Sequence, residues 1–386
     1  MPESANDIIF EAGERTDGRP KAYKESLRDF YDRCPSPACD NIRSLINEWF
    51  CRVSRGKGRR DLHARLGSTD DNTWVGAFWE LYLHESLRRA GYELDIEPDV
   101  AESENHPDFL ARGRGHEFYV EALAVLEDEI RAGERRHKNT YDYLNERPHP
   151  NFWLGIQFIA EGAADPPLKR LRHDVTAWLD EFDPDTTPLV TVTEWRDLDW
   201  TIELTAYPKS PRVRGVPGGP LLSAPSGVSG SSDLAGPMRE RLHEKATRYG
   251  RLGKPYLIAL AINTTIADRD DLTDALLGPV AVRVSGNEDD PVEVFRLRAG
   301  LFMGAGGEQN TRVSGLIVAR NAWPERVAAL RPAVWLNPWS PPDLRFVAPV
   351  PWSHVAIDPT TAQLTGEPSD FDPLAYFGLS PGWPGF

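Results

Sequence analysis

The sequence has little cysteine and no long apolar run. Its 386 residues include only three cysteines, Cys34, Cys39 and Cys51, and few, unpaired cysteines are typical of a reducing compartment. No stretch approaches the roughly 18 consecutive apolar residues of a membrane span. The acidic, polar start MPESANDIIFEAGE is unlike a secretory signal peptide. We therefore expect a cytoplasmic protein with no membrane partner.

Positive charge is also in short supply. The chain carries 44 Lys and Arg against 59 Asp and Glu, a formal net charge of −15. Proteins that coat nucleic acid have a broadly basic surface, so the composition argues against that class while leaving enough cations for a local basic cleft. The basic stretch SRGKGRRDLHARLG at 54–67 predicts either a solvated surface loop or a patch that contacts phosphates.

The segment from Thr73 to about Ala90 predicts a buried helix. Asp70, Asp71 and Asn72 precede it as capping residues, and Gly91 follows it as a stop signal. At about 100° per residue its apolar side chains fall on two wide arcs. Glu80 and His84 share the narrow gap between the arcs. A carboxylate in such a helix needs a cation or a donor, so Glu80 is half of a buried salt bridge, faces a solvent-filled gap, or is a metal ligand.

A short strand, a Pro-Asp pair and a second strand that carries Glu121 follow this helix. Tyr92–Ile96 predicts a short strand, Pro107-Asp108 follows a polar loop, and a turn at Arg112–Gly115 leads into a strand from His116 to Val125. Apart from Glu121, both faces of that strand are apolar beyond its start, which is typical of a central strand covered on both sides. Metal binding is one way to offset the cost of burying Glu121.

The order of a helix Glu, a Pro-Asp pair and a Glu on the next strand resembles the PD-(D/E)XK nuclease superfamily, the restriction-endonuclease-like proteins. The resemblance covers roughly residues 73–160, with 233–263 as a possible continuation. It implies that Glu80, Asp108 and Glu121 bind Mg²⁺ or Mn²⁺, with the main-chain carbonyl of Ala122 as a further ligand. The metal would activate water for hydrolysis of nucleic-acid phosphodiester bonds.

The sequence departs from the superfamily at the lysine of its E-x-K motif. Leu123 occupies the position two residues after Glu121, and a leucine can neither orient water nor stabilise a charged transition state. Another cation would have to replace that lysine, and four residues are candidates: Lys138, Lys245, Arg112 and Arg114. We favour Lys245, because its predicted helix precedes the buried strand PYLIALAIN at 255–263. The predicted catalytic set is therefore Glu80, Asp108, Glu121 and Lys245.

Two functions remain open at this point. One is a metal-dependent nuclease, and the other is a catalytically inactive nuclease-fold protein that acts as a binding or scaffold module for a protein partner. Convergence of Asp108 and Glu121 with a lysine beside them would favour the enzyme. An apolar plug around Leu123 would favour the binding module.

The predicted fold is α/β, with a mixed central sheet flanked by helices in a restriction-endonuclease-like core that has N- and C-terminal extensions. We divide the chain into an N-terminal helical extension (1–70), a nuclease-like α/β core (71–265) and a β-rich extension with an irregular tail (266–386). Nothing in the sequence indicates an oligomeric state.

Overall fold

A computed structural model describes residues 8–100, 103–126, 134–160, 162, 164–187, 191–215, 221–222, 235–264, 269–283, 293–304, 306–358, 361 and 363–385. Contacts divide the chain into two compact units. The first comprises the described residues within Met1–Gly18, Leu27–Ile130 and Ser232–Phe386, and the second those within Arg19–Ser26 and Arg131–Ser231. All three segments predicted from the sequence contribute residues to the first unit.

The described residues form nine α-helices and fifteen strands. The helices are α1 (Leu27–Arg33), α2 (Pro37–Cys51), α3 (Lys57–Leu66), α4 (Asp71–Arg89), α5 (Glu134–Asn145), α6 (Leu168–Asp180), α7 (Ala235–Thr247), α8 (Arg269–Leu277) and α9 (Pro373–Phe377). The strands are β1 (Glu93–Ile96), β2 (Phe109–Gly113), β3 (His116–Leu126), β4 (Phe152–Ala160), β5 (Thr191–Asp197), β6 (Trp200–Pro208), β7 (Tyr256–Asn263), β8 (Val280–Arg283), β9 (Glu293–Arg296), β10 (Met303–Gly304), β11 (Gly307–Glu308), β12 (Gly315–Arg320), β13 (Ala333–Leu336), β14 (Ser353–Ile357) and β15 (Leu364–Glu367). No described helix is long and apolar enough to cross a membrane.

The first unit is built on an eight-stranded sheet in the order β1-β2-β3-β7-β12-β13-β14-β15. The pairs β3–β7, β7–β12 and β13–β14 are parallel, and the other four are antiparallel. The sheet is therefore mixed and flanked by helices, which confirms the predicted α/β class. Strands β12 to β15, from the segment predicted as a C-terminal extension, belong to this same sheet.

The two faces of β3 are buried in separate clusters, as its sequence pattern predicts. Phe118 and Val120 lie in a cluster with the apolar residues of α4, whereas Tyr119, Leu123 and Val125 lie in a second cluster with those of α7. The neighbouring strand β7 is buried along its whole length. Because each large apolar side chain that is buried contributes about 1.5–3 kcal/mol, these central strands contribute much of the stability of the first unit.

Helix α4 is the main support for one face of this sheet. Its cap is the predicted one, since the Asp70 carboxylate accepts the Thr73 N–H at 2.8 Å. Most of its residues are buried, including both Glu80 and His84, so the expectation of a helix that is buried nearly all round is confirmed.

The second unit has its own sheet and core. Strands β4, β6 and β5 form an antiparallel three-stranded sheet in that order. Helices α5 and α6 contact each other, and buried side chains of β4, β6 and α6 share one cluster that includes Phe152, Leu171 and Trp200.

Candidate active site

The hairpin of β2 and β3 opens at Asp108 and Glu121. The ladder between the two strands runs from Gly113↔His116 to Phe109↔Val120 and ends there. Strand β3 then continues to Leu126 beside β7 alone. Asp108 immediately precedes β2, and Glu121 immediately follows Val120, the last residue of β3 that pairs with β2. Both carboxylates therefore lie where these two strands separate. The Ala122 N–H donates to Asp108 Oδ2 at 2.6 Å, which fixes the Asp108 side chain against β3.

Glu121 is bound by three side chains from the end of α7 and the residues that follow it. Lys245 Nζ lies 2.6 Å from Oε1, and Arg248 Nη1 lies 3.4 Å from the same oxygen. The Tyr249 hydroxyl donates to Oε2 at 2.6 Å, and its oxygen also lies 2.9 Å from the His106 carbonyl oxygen. Glu121 is only 1 % exposed, so these groups replace the water that would otherwise solvate the carboxylate.

Glu80 approaches from the opposite face of the sheet, because α4 packs on the side of β3 that carries Val120. Its Oε2 lies 2.6 Å from Arg65 Nη2 of α3, and the residue is 2 % exposed. Burial raises the pKa of Glu80 to about 6, although the Arg65 charge acts to lower it. In this conformation Glu80 is therefore half of a buried salt bridge, one of the alternatives that its helix position left open.

Asp108 lies where burial and neighbouring negative charges both disfavour its ionised form. Burial raises the pKa of Asp108 well above its ordinary value, and the charges of Glu121 and Glu80 raise it further. The Ala122 N–H and the Lys245 charge act in the opposite direction. Within the described part of the chain no Lys, Arg or His forms an ion pair with Asp108. A bound cation would relieve the repulsion that its carboxylate experiences.

All four residues of the predicted catalytic set line one cleft of about 400 Å³. The rest of its lining is strongly charged: Lys57, Arg65 and Arg248 supply cations, and Asp61, Glu97 and Glu104 supply carboxylates. The fold thus brings these four residues together, although 124 positions separate Lys245 from Glu121.

The oxygen atoms in the cleft are of the type that a hard cation prefers as ligands, but in this conformation they are not spaced to coordinate one. Mg²⁺ and Mn²⁺ prefer oxygen ligands, and Asp108 and Glu121 offer carboxylate oxygens at the open end of the hairpin. However, no three His, Cys, Asp or Glu residues among those described stand close enough together to hold a metal ion. Glu80 is engaged by Arg65 and Glu121 by Lys245, so a metal would have to compete with these cations.

The other candidate cations do not share this position. Arg112 and Arg114 lie at the turn end of the hairpin, where Arg112 contacts Asp95 and Glu117 at 3.5 Å. The side chain of Lys138 lies outside the described residues. Leu123 is 4 % exposed in the apolar cluster that contains Leu242 of α7. The geometry therefore combines a lysine beside Glu121 with an apolar environment around Leu123.

Three residues that contact the site carboxylates, Arg65, Arg248 and Tyr249, were not predicted from the sequence. Arg248 and Tyr249 follow Lys245 by three and four residues, a spacing that places side chains on one helical face. Both residues were therefore recognisable once Lys245 was chosen. Arg65 was hidden in the basic stretch 54–67. The loop predicted there is wrong: residues 57–66 form α3, and its Arg59 packs over the Phe50 ring at 4.1 Å.

This arrangement can support chemistry on a negatively charged substrate. Two carboxylates at the hairpin opening provide oxygen ligands, and the Lys245 ammonium lies within hydrogen-bonding distance of one of them. Lys57, Arg65, Lys245 and Arg248 supply four cations to this cleft, and its lining also carries six carboxylates. Comparisons of the chain with protein-family models, with curated proteins and with solved structures found no match.

Proposed function

We propose that this protein is a metal-dependent nuclease that hydrolyses phosphodiester bonds of nucleic acid in the cleft of Asp108, Glu121 and Lys245. The observation that carries the proposal is the 2.6 Å contact between Lys245 Nζ and Glu121 Oε1. The sequence lacks the lysine two residues after this glutamate, and α7 brings another lysine to the same carboxylate.

Lys245 would replace the missing lysine in catalysis, because it approaches the same face of β3. Glu121 and Leu123 lie on one face of the strand, and α7 covers that face through side chains such as Leu242. An ammonium group at this point holds a proton and a positive charge next to the reacting phosphate. Both properties stabilise the charge that develops in the transition state.

Asp108 and Glu121 would hold Mg²⁺ or Mn²⁺, with the Ala122 carbonyl as the further ligand that the family resemblance implies. When bound, such an ion supplies an activated water and stabilises the departing oxygen. Glu80, which Arg65 holds in place, would bind the ion from the other side of the cleft. Arg65 and Arg248 would contact the phosphates that flank the scissile bond.

The order of elements supports a restriction-endonuclease-like core. Helix α4 with Glu80 comes first, followed by the hairpin with Asp108 and Glu121. Helix α7 with Lys245 then precedes β7, which lies parallel to β3. The helix, the hairpin and the later helix and strand thus come in the sequence that the resemblance leads us to expect.

A second function, an inactive nuclease-fold module that binds a protein partner, is favoured by a different observation. Leu123 is packed in an apolar cluster, and the carboxylates of Glu121 and Glu80 are each already paired with a cation. A chain that had lost its metal would be stabilised by such pairs, because they compensate carboxylates that no longer have an ion.

A nuclease assay on the full chain distinguishes these functions. Plasmid DNA, single-stranded DNA and RNA would be incubated with wild type, Asp108→Asn and Glu121→Gln in Mg²⁺, Mn²⁺ or EDTA. We expect cleavage by wild type in metal only, and none by either variant. Glu117→Gln is the matched control, since Glu117 lies on the same strand, is exposed and pairs with Lys254 at 2.7 Å. Cleavage by Glu121→Gln at the wild-type rate would contradict the proposal, and no cleavage of any substrate would favour the inactive module.

A further inference from the structure

The second unit contains a basic cavity of about 520 Å³ that the proposed nuclease chemistry does not use. Its lining includes Arg147, Lys169 and Arg172 together with His149 and His173. Asp180 is the only carboxylate among the described residues that line it. The chain as a whole has a net charge of −15, so a cavity lined mainly by cationic and imidazole groups differs in charge from the rest of the protein.

Arg172 is held in a fixed orientation at this cavity. Its guanidinium lies over the Tyr143 ring at 3.8 Å and donates to the Tyr143 hydroxyl oxygen at 2.7 Å and to Glu146 Oε2 at 2.9 Å. A guanidinium that is already oriented loses little side-chain entropy when it binds an anion.

The one carboxylate of the described lining, Asp180, is hydrogen-bonded to His149. His149 is buried, and its Nδ1 accepts the Asn151 N–H at 3.2 Å, so the neutral ring carries its proton on Nε2. That nitrogen lies 3.0 Å from Asp180 Oδ1 and donates to it. By contrast, the exposed side chains of Arg147 and Lys169 have no ionic or hydrogen-bonding partner among the described residues, which leaves two cations available to a ligand.

From these contacts we infer that the cavity of the second unit binds the phosphate group of a phosphorylated ligand. Oriented Arg and accompanying Lys side chains are the usual partners of phosphate oxygens. The cavity volume falls within the range of about 300–1,000 Å³ that is typical of small-molecule sites. The phosphate belongs either to a free nucleotide or to a nucleic-acid backbone. This inference does not depend on the proposed nuclease activity.

The test is fluorescence anisotropy on the full chain in EDTA, which prevents metal-dependent cleavage. The probes are a fluorescent nucleoside triphosphate and a labelled single-stranded oligonucleotide. We expect binding with a Kd on the order of 10⁻⁵ M that weakens as salt is raised. Arg147→Glu combined with Lys169→Glu should weaken it at least about tenfold, because two phosphate contacts are lost. Both residues are exposed, so the variant is expected to fold.

Arg170→Glu is the matched control. Arg170 neighbours Lys169 on α6 but pairs with Asp197 at 2.9 Å and does not line the cavity, so this variant should bind almost like wild type. Binding of the triphosphate would assign the site to a small phosphorylated ligand, and binding of the oligonucleotide alone would assign it to nucleic acid. The inference is overturned if neither probe binds up to millimolar concentration. It is also overturned if Arg170→Glu weakens binding as much as the double variant does.

Discussion

Lys245→Met is expected to lower the rate of metal-dependent phosphodiester hydrolysis by about 10²- to 10⁴-fold, the usual effect of removing a group that stabilises charge or transfers a proton in a transition state. The substitution keeps the length of the side chain and removes the ammonium that lies 2.6 Å from Glu121 Oε1. The measurement is the initial rate of cleavage of the best substrate from the nuclease assay, with saturating Mg²⁺ or Mn²⁺.

Lys254→Met provides the control for this experiment. Lys254 also pairs with a glutamate of β3, Glu117, at 2.7 Å, but it does not line the cleft of Glu121. We expect this variant to cleave at close to the wild-type rate. If Lys245→Met cleaves at the wild-type rate, or if both lysine variants lose activity equally, then Lys245 does not replace the missing E-x-K lysine in catalysis.

Arg65→Met is expected to lower the free energy of unfolding by about 3 kcal/mol at pH 7.5, because it leaves a buried carboxylate without its cation. The loss should become smaller as the pH falls. The pKa of Glu80 is already about 6 in the folded wild type, above that of an unfolded chain, and removing Arg65 raises it further. Protonation of Glu80 therefore stabilises the folded variant as the pH falls through that raised pKa, and a neutral carboxyl no longer needs Arg65.

Urea unfolding at pH 7.5 and pH 5 measures this difference. Arg60→Met is the control, because Arg60 lies on the same helix α3 but is exposed, and we expect its stability to change by less than about 0.5 kcal/mol. An equal loss at both pH values for Arg65→Met would show that the arginine stabilises α3 by packing rather than through the charge of Glu80.

Much of this site follows from patterns that are local in the sequence. The apolar residues of α4 recur with helical spacing, and the two apolar faces of β3 follow from its alternation. Because a carboxylate is conspicuous in such segments, Glu80 and Glu121 could be selected before the fold was known. Asp108 could be selected only through the order of motifs, since a Pro-Asp pair by itself carries little information.

The partners of these carboxylates were much harder to predict. Arg65 binds Glu80 because α3 packs on α4, whereas the basic composition of residues 54–67 favoured a solvated surface loop. The contacts of Arg248 and Tyr249 with Glu121 join positions that are 127 and 128 residues apart. No local pattern encodes such pairs, because they depend on which helix covers which strand. Lys245 was chosen from the order of its helix and strand alone.

Titration of the full chain with Mg²⁺ and with Mn²⁺ in a calorimeter tests the metal site, and with it the central claim, most directly. We expect saturable binding by wild type that disappears when Asp108→Ala is combined with Glu121→Ala. Glu117→Ala, on the same strand but outside the cleft, should bind as wild type does, and circular dichroism would confirm that all three proteins are folded. Absence of binding to wild type up to millimolar metal, or equal binding by the double variant, would contradict the nuclease proposed here.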